Sequence, residues 1–546
     1  MTPPLHDPAR QRATRIMAAL LVIAAAPRLA ILATGQRWLR SDEALVGLMS
    51  KRIITHGELG WFLPGQSYGG GHAISAILMS PFTAWLGPRS AIVNALPMLV
   101  SLVNVALLWL LLRNRTRPFV AVSAVLFYAL APAVMYQSFL SNGGEHAFLL
   151  GLVALHALAR IGHEGRLSAG WGAILGASCG LACYAMDYAA VYPLLCGGLL
   201  LWRWRGFFRS KAFIACLAGG LLGLAPLIIY NATHDLAHLR YLLRPPPQAA
   251  PPLPGRALQV LGDLLVADGP VLFTTTLDDF PAAVSWAAVA SFAILIISAI
   301  ALAAARTPAS GEARAGRDIE VIALAGLGLY IVLYCVSTHS ATGFRAPRYL
   351  IPLYPFAAVV MAAGLDRLRR MGRLASALAL AAAAFVIGQN LAEDWRMATA
   401  RGHEEHRVFT AGASIPALAS WLETNGVTRV FAPYEIQMRL IAFTNERVLV
   451  SCVLGPRFFL SWLPRMPVYD QGVGVEAALG QKPFAVVFRR DFAFAALAPD
   501  PRVWTREAWE SWLASQGVHW RTTDVGEYVI YHDFSSNRFI GWAAGK

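Results

Sequence analysis

The chain has 546 residues, 56% of them hydrophobic and only 14% charged, far from the roughly 25% charged of a soluble globular protein. Its formal charge of +14 does not mark a nucleic-acid binder, because the Lys and Arg residues fall in short bursts between apolar runs instead of gathering on one face. The six cysteines are scattered, five of them within apolar runs, and their spacing gives neither a disulfide framework nor a zinc site.

Apolar runs long enough to cross a bilayer, about 17 to 25 residues, fall near 16–34, 90–112, 118–137, 145–161, 169–186, 188–202, 212–230, 282–305, 319–337, 349–364 and 374–391. The first has basic residues before it and small residues at 24–26, as a signal peptide would, but it continues through Pro27 and Arg28 and reads better as an uncleaved helix. About eleven transmembrane helices are therefore expected. Basic residues mark alternate connections: Arg10, Arg12 and Arg15, then Arg113, Arg115 and Arg117, Arg160 and Arg166, Arg203 to Lys211, Arg306 to Arg317, and Arg367 to Arg373. Positive charge is retained on the cytoplasmic side. The N-terminus is thus expected in the cytoplasm and everything after residue 391 outside it, in the periplasm of a bacterial inner membrane.

Three outer segments exceed simple turns. Residues 35–89 hold a polar stretch and then His72 to Leu86, which reads as a helix lying in the membrane interface. Residues 231–281 contain Pro245-Pro246-Pro247 and Pro251-Pro252-Leu253-Pro254, read as a stiff extended segment, either lid or linker. In the third, 392–546, alternation replaces continuous apolar runs. Val427 to Tyr434, Arg447 to Leu454, Phe484 to Phe488 and Tyr528 to His532 read as strands, and Ile415 to Thr424 and Arg506 to Ser515 as amphipathic helices. The expected organisation is an all-α membrane domain, 1–391, whose first outer loop, 35–89, carries the chemistry, followed by a small α/β domain, 392–546.

Just past the first helix stands Arg37-Trp38-Leu39-Arg40-Ser41-Asp42-Glu43-Ala44. Ser41 is a good N-cap and carboxylates suit a first helical turn, so these residues fit a plain helix start equally well. Their company is less ordinary: His56-Gly57-Glu58, then Gln66-Ser67-Tyr68-Gly69-Gly70-Gly71-His72 and the interfacial helix. With the late Arg345-Ala346-Pro347-Arg348-Tyr349-Leu350-Ile351-Pro352-Leu353-Tyr354-Pro355, the sequence resembles the GT-C class of membrane glycosyltransferases. It is most similar to the branch of protein O-mannosyltransferases and the lipid A aminoarabinose transferase. That class has an acidic motif past helix one, followed by two helices on the membrane, and Asp42-Glu43 and the segment 72–86 occupy those places.

The resemblance implies a helical GT-C fold and transfer of a sugar, with inversion, from a polyprenyl-phosphate donor to a lipid, glycan or protein acceptor. Such a reaction needs a base for the acceptor hydroxyl, and Asp42 is the candidate. Glu43 and Glu145 are further acidic candidates; Glu145 follows Ser141-Asn142-Gly143-Gly144 at a helix mouth and fits a helix-start charge as well. Arg345, Arg348 and Tyr349 are the candidates for the donor phosphate, with snorkelling toward lipid headgroups the competing role for the arginines. Arg240, Arg244 and Arg256 are weaker ones. Gln66, Tyr68 and His72 are candidates for sugar or acceptor. A divalent metal ion held by some of Glu43, His72, Glu145 and His146 is the one cofactor considered. Residues 69–71 are expected to be flexible, and they are not a nucleotide loop, since no strand precedes them and no Lys follows. Competing readings are a transporter or flippase for a lipid-linked saccharide, for which midplane charges or repeats would be expected, an O-antigen ligase or polymerase, and a non-catalytic relative.

Overall fold

The computed structural model describes residues 8–33, 39–163, 167–243, 253–274, 285–304, 311–337, 347–399, 414–455, 458–459, 473, 476–477, 483–490 and 506–536. The chain divides into two compact units: Met1–Thr34, Tyr68–Ile74 and Pro97–Arg401 form one, and Gly35–Ser67, Ser75–Leu96 and Gly402–Lys546 the other. A single cut at residue 391 is not what the packing shows, because most of the first outer segment shares a unit with the C-terminal region.

The first unit is helical. Its helices are α1 (Pro8–Ala33), the start of α3 (Gly71–Leu86), most of α4 (Ser90–Leu112), α5 (Pro118–Ala129), α6 (Pro132–Gln137), α7 (Gly144–His163), α8 (Ala169–Ala185), α9 (Val191–Arg203), α10 (Lys211–Thr233), α11 (Ala237–Leu242), α12 (Leu253–Asp263), the single turn α13 (Gly269–Val271), α14 (Trp286–Ala303), α15 (Gly311–Val336), α16 (Tyr354–Arg369) and α17 (Arg373–Thr399). Among the described residues, eight helices are long and apolar enough to cross a membrane: α1, α4, α7, α10, α14, α15, α16 and α17.

The other three expected spans are helical but short or broken. The run 118–137 is interrupted because Pro132 forces Ala131 into extended backbone (φ −62°, ψ 125°), ending α5 and starting α6 with the proline in its first turn. The span at 169–186 is the 17-residue α8, and 188–202 is a 3₁₀ turn, Asp187–Ala190, leading into the 13-residue α9. Part of the proline-rich segment departs from its expected extended form, since Leu253 and Pro254 open α12, where a proline costs no helical hydrogen bond. Residues 244–252 lie outside the described residues.

Small residues let α8 and α10 approach closely. A Cβ on Gly172, Gly176 or Gly180 would meet the α10 backbone at Ala212, Cys216 and Gly220, and one on Gly219 or Gly223 would meet α8 at Ala173 and Ala177. α16 is buried almost throughout. At its basic end Asp366 pairs with Arg369 (2.8 Å), Arg370 (3.1 Å) and Arg117 (3.7 Å), and Arg367 pairs with Glu320 (3.1 Å). Arg203 pairs with Asp318. The basic residues that ended the apolar runs therefore join α5, α9, α15 and α16 in ion pairs.

The second unit combines α2 (Ser41–His56) and the later part of α3 with α18 (Ile415–Thr424), β1 (Arg429–Phe431), α19 (Tyr434–Phe443), β2 (Leu449–Ser451), β3 (Val453–Gly455), β4 (Phe458–Phe459), β5 (Phe484–Arg489), α20 (Arg506–Ser515), β6 (Arg521–Val525) and β7 (Tyr528–His532). Five strands form one sheet in the order β2-β1-β5-β7-β6, with β1 parallel to β2 and β5, and β7 antiparallel to β5 and β6. Successive residues alternate between its two faces. Val430, Ala485, Val487, Tyr528 and Ile530 enter a core shared with α2, α3, α18 and α19, while Phe431, Val486, Phe488, Val529 and Tyr531 pack with Trp509 and Leu513 of α20. The segment 427–434 is strand only to Phe431; Pro433 then caps α19, so Tyr434 is the first residue of a helix and not the end of a strand.

Candidate active site

In the second unit α2 begins with extended backbone at Arg40, which takes the N-cap place expected of Ser41. Asp42 and Glu43 follow in the first turn, about 100° apart around the helix. Glu43 is buried, 3% exposed, and is not the solvated helix-start charge that was the alternative for it. Asp42 is half-buried, and its Oδ1 accepts a hydrogen bond from the Tyr434 hydroxyl at 2.6 Å. Farther along α2, Lys51 pairs with Glu446 and donates to the Asn445 side chain at 3.0 Å. Arg52 donates twice to Glu58, at 2.6 and 2.7 Å, and the guanidinium holds that carboxyl below its ordinary range. Gln66 is half-buried in the same unit, its backbone N–H donating to the Leu63 carbonyl.

In the first unit the three glycines are a backbone crossing and not a flexible loop. A Cβ on Gly70 would strike the Tyr184 ring; on Gly71 it would strike the backbone of Gly143, which itself has φ +89° and could not carry a side chain there. The crossing seats the start of α3 against the loop before α7. His72 follows, buried, with Nδ1 donating to the Gly69 carbonyl at 2.9 Å, and its ring is within electrostatic reach of buried His146. Tyr68 stacks on Tyr241 of α11, centroids 4.4 Å apart. His238 of the same helix faces Asp187 at 3.6 Å, and burial pushes the Asp187 carboxyl above its ordinary range. His234 instead stacks on Tyr230, so the two histidines four apart do not converge on a metal.

Glu145, in the first turn of α7, is 1% exposed. Asn104 donates to its Oε2 at 2.7 Å and to its backbone carbonyl at 3.0 Å. Behind it the Arg28 guanidinium, wholly buried, donates to the carbonyls of Ala24 (2.8 Å) and Ala129 (2.9 Å) and to the Ser101 hydroxyl (3.1 Å). Its charge acts on both Glu145 and Asp394. Tyr349 lies on the 3₁₀ turn Pro347–Leu353; its carbonyl accepts from the Tyr330 hydroxyl, and Tyr188 is within electrostatic reach of both Tyr349 and Glu145. Arg240 is exposed on α11. Arg345, Arg244 and the side chains of Arg348 and Arg256 lie outside the described residues.

Among the described residues, no three His, Cys, Asp or Glu side chains are grouped so as to hold a metal ion. Glu43, His72, Glu145 and His146 belong to no such group. Asn104, Arg28, Tyr241 and Tyr434 are partners to which the sequence reading gave no role, since none of them stands near its partner in the chain.

Residues 73–230, which contain Glu145 and Asp187 but not Asp42, match the family model described as dolichyl-phosphate-mannose-protein mannosyltransferase. No curated protein matches the chain in sequence. The structure is similar to that of ArnT from Cupriavidus metallidurans in the apo state, with TM-score 0.55 and 13% identity over 97% of this chain and 99% of that one. It is similar as well to the same protein bound to undecaprenyl phosphate, with TM-score 0.56 and 13% identity over 95% and 98%. The chain is therefore a multi-pass membrane protein with the GT-C fold, similar in architecture to ArnT over nearly the whole of both chains.

Proposed function

We propose that the chain is a glycosyltransferase that moves a sugar from a polyprenyl-phosphate donor to a lipid, glycan or protein hydroxyl at the outer face of the membrane. The observation that carries the reading is Asp42 itself: a carboxylate in the first turn of the helix after the first span, held by a phenol, in a chain with the GT-C fold. The ligand class comes from the fold relative that binds undecaprenyl phosphate and from the topology, since nucleotide sugars stay in the cytoplasm. The outward orientation of Asp42 is supported by the sequence, in which Arg10, Arg12 and Arg15 precede the first span and Asp42 follows it. It is checked by labelling exposed Glu423→Cys from outside the cell with an impermeant maleimide.

In the reaction the acceptor oxygen attacks the anomeric carbon from the face opposite the phosphate. The carbon–oxygen bond to phosphate breaks, the hydroxyl proton passes to Asp42, and polyprenyl phosphate leaves with its electron pair. Attack from the opposite face inverts the anomeric centre. Arg345 and Arg348 are assigned to the leaving phosphate, whose growing charge needs fixed cations. Tyr68 and Tyr241 present stacked rings suited to a sugar face.

The test is transfer by purified protein from undecaprenyl phosphate carrying mannose or aminoarabinose. Asp42→Asn, folded as wild type, should lose roughly a hundredfold or more in rate. Wild-type rates in that variant would sink the assignment of the base.

A further inference from the structure

Tyr434 stands 392 positions from Asp42, in a region where the sequence offers no recognisable catalytic residue. Its place is set by the sheet. β1 ends at Phe431, the Ala432 N–H is tied to the Ser451 carbonyl at 2.9 Å, and Pro433 caps α19, accepting from the N–H groups of Ile436 and Gln437 at 2.9 Å. Tyr434 is 5% exposed and belongs to the core that also takes in Ala44, Leu45 and Leu48 of α2. A hydroxyl so fixed can point in few directions, and it points at the Asp42 carboxylate.

The bond is not needed to fasten α2 to α19. The shared apolar core does that, with the pairs of Lys51 and Arg52 to Glu446 in the turn after α19. A phenylalanine would fill the same space without the cost of burying a hydroxyl. What the oxygen adds is a donor at 2.6 Å, within the range of a charge-assisted O–H···O⁻ bond.

We propose that Tyr434 is a positioning residue for Asp42, by which the C-terminal region holds the carboxylate in the orientation from which it takes the acceptor proton. The inference rests on the reading of Asp42 as the base. Two effects of the bond oppose each other. A donor on the carboxylate lowers its basicity, which slows proton transfer; holding its geometry speeds it, and a misplacement of about 1 Å can cost a hundredfold. Orientation is the larger effect, so loss of the hydroxyl lowers the rate.

The experiment compares full-length wild type, Tyr434→Phe and Asp42→Asn with undecaprenyl-phosphate mannose and aminoarabinose as probes, following kcat, KM and Tm. Tyr434→Phe should lose about tenfold in kcat with KM changed by less than about twofold, and its Tm should stay within about 2 °C of wild type. In an Asp42→Glu background the same substitution should change kcat by less than about twofold, since its effect passes through Asp42. Wild-type kcat in Tyr434→Phe overturns the positioning role. A higher kcat makes the bond a latch and overturns it too, as does a rise in KM accompanied by a fall in Tm, which marks a docking contact. If Asp42→Asn is inactive and Tyr434→Phe is normal, only the positioning role falls; if Asp42→Asn is active, or wild type consumes neither donor, both fall.

Discussion

Arg28 bears a heavy cost of burial, a guanidinium with no exposed surface inside an apolar helix. Its hydrogen bonds reach across three helices, to a carbonyl of α1, a hydroxyl of α4 and a carbonyl of α5. The carboxylates it acts on, Glu145 and Asp394, belong to α7 and α17 and are themselves buried. Removing Arg28 takes its donors from the buried oxygens it bonds, and each buried polar group left unsatisfied costs about 1–3 kcal/mol. Arg28→Ala is therefore expected to lower the melting temperature in detergent by several degrees or to prevent folding. A variant as stable as wild type would show that the cluster is not coupled. In the sequence Arg28 was only a residue through which the first apolar run continues, because its partners, 73 and 101 positions away in Ser101 and Ala129, leave no local mark. Glu145 was legible from its place at a helix mouth. Its burial was not, for that depends on Asn104 coming from another helix.

At the scale of elements, periodicity carried well where a segment is amphipathic. α18 and α20 have the bounds read from their apolar spacing, because one face of each must cover the sheet. It carried less well where a few backbone positions decide. Pro132 splits one expected span, Pro254 starts a helix within a segment read as extended, and Pro433 turns the end of a strand into the start of α19. Each proline acted through the allowed backbone of its neighbours, which an apolar window does not register. The glycines divide in the same way. Gly176 faces the Cys216 carbonyl with no room for a Cβ, whereas Gly170 in the same helix faces open space. Gly176→Val should thus destabilise the α8–α10 pair by about 1–3 kcal/mol, while Gly170→Ala should be neutral within about 0.5 kcal/mol. Thermal unfolding of the two variants side by side checks this, and equal effects would mean that close helix approach is not what fixes those glycines.

The whole molecule was readable as a membrane protein with an α/β region after its last span, since hydropathy and alternation are properties of long stretches. Among the described residues helices occur at all eleven expected spans, and eight are long enough alone. The grouping of residues 35–67 and 75–96 with the C-terminal region was not readable, because a shared core joins segments more than 300 positions apart only once the chain is folded. That grouping gives Asp42 its contact with Tyr434 and makes the C-terminal region part of the proposed chemistry. The central claim is that the sugar arrives on a polyprenyl phosphate. It is tested most directly by giving purified protein in liposomes two labelled donors of one sugar, undecaprenyl-phosphate mannose and GDP-mannose, and, for a second sugar, undecaprenyl-phosphate aminoarabinose. The account predicts release of undecaprenyl phosphate from a lipid donor, lost in Asp42→Asn, and no consumption of the nucleotide sugar. Turnover of the nucleotide sugar, or none of the lipid donors, would contradict it.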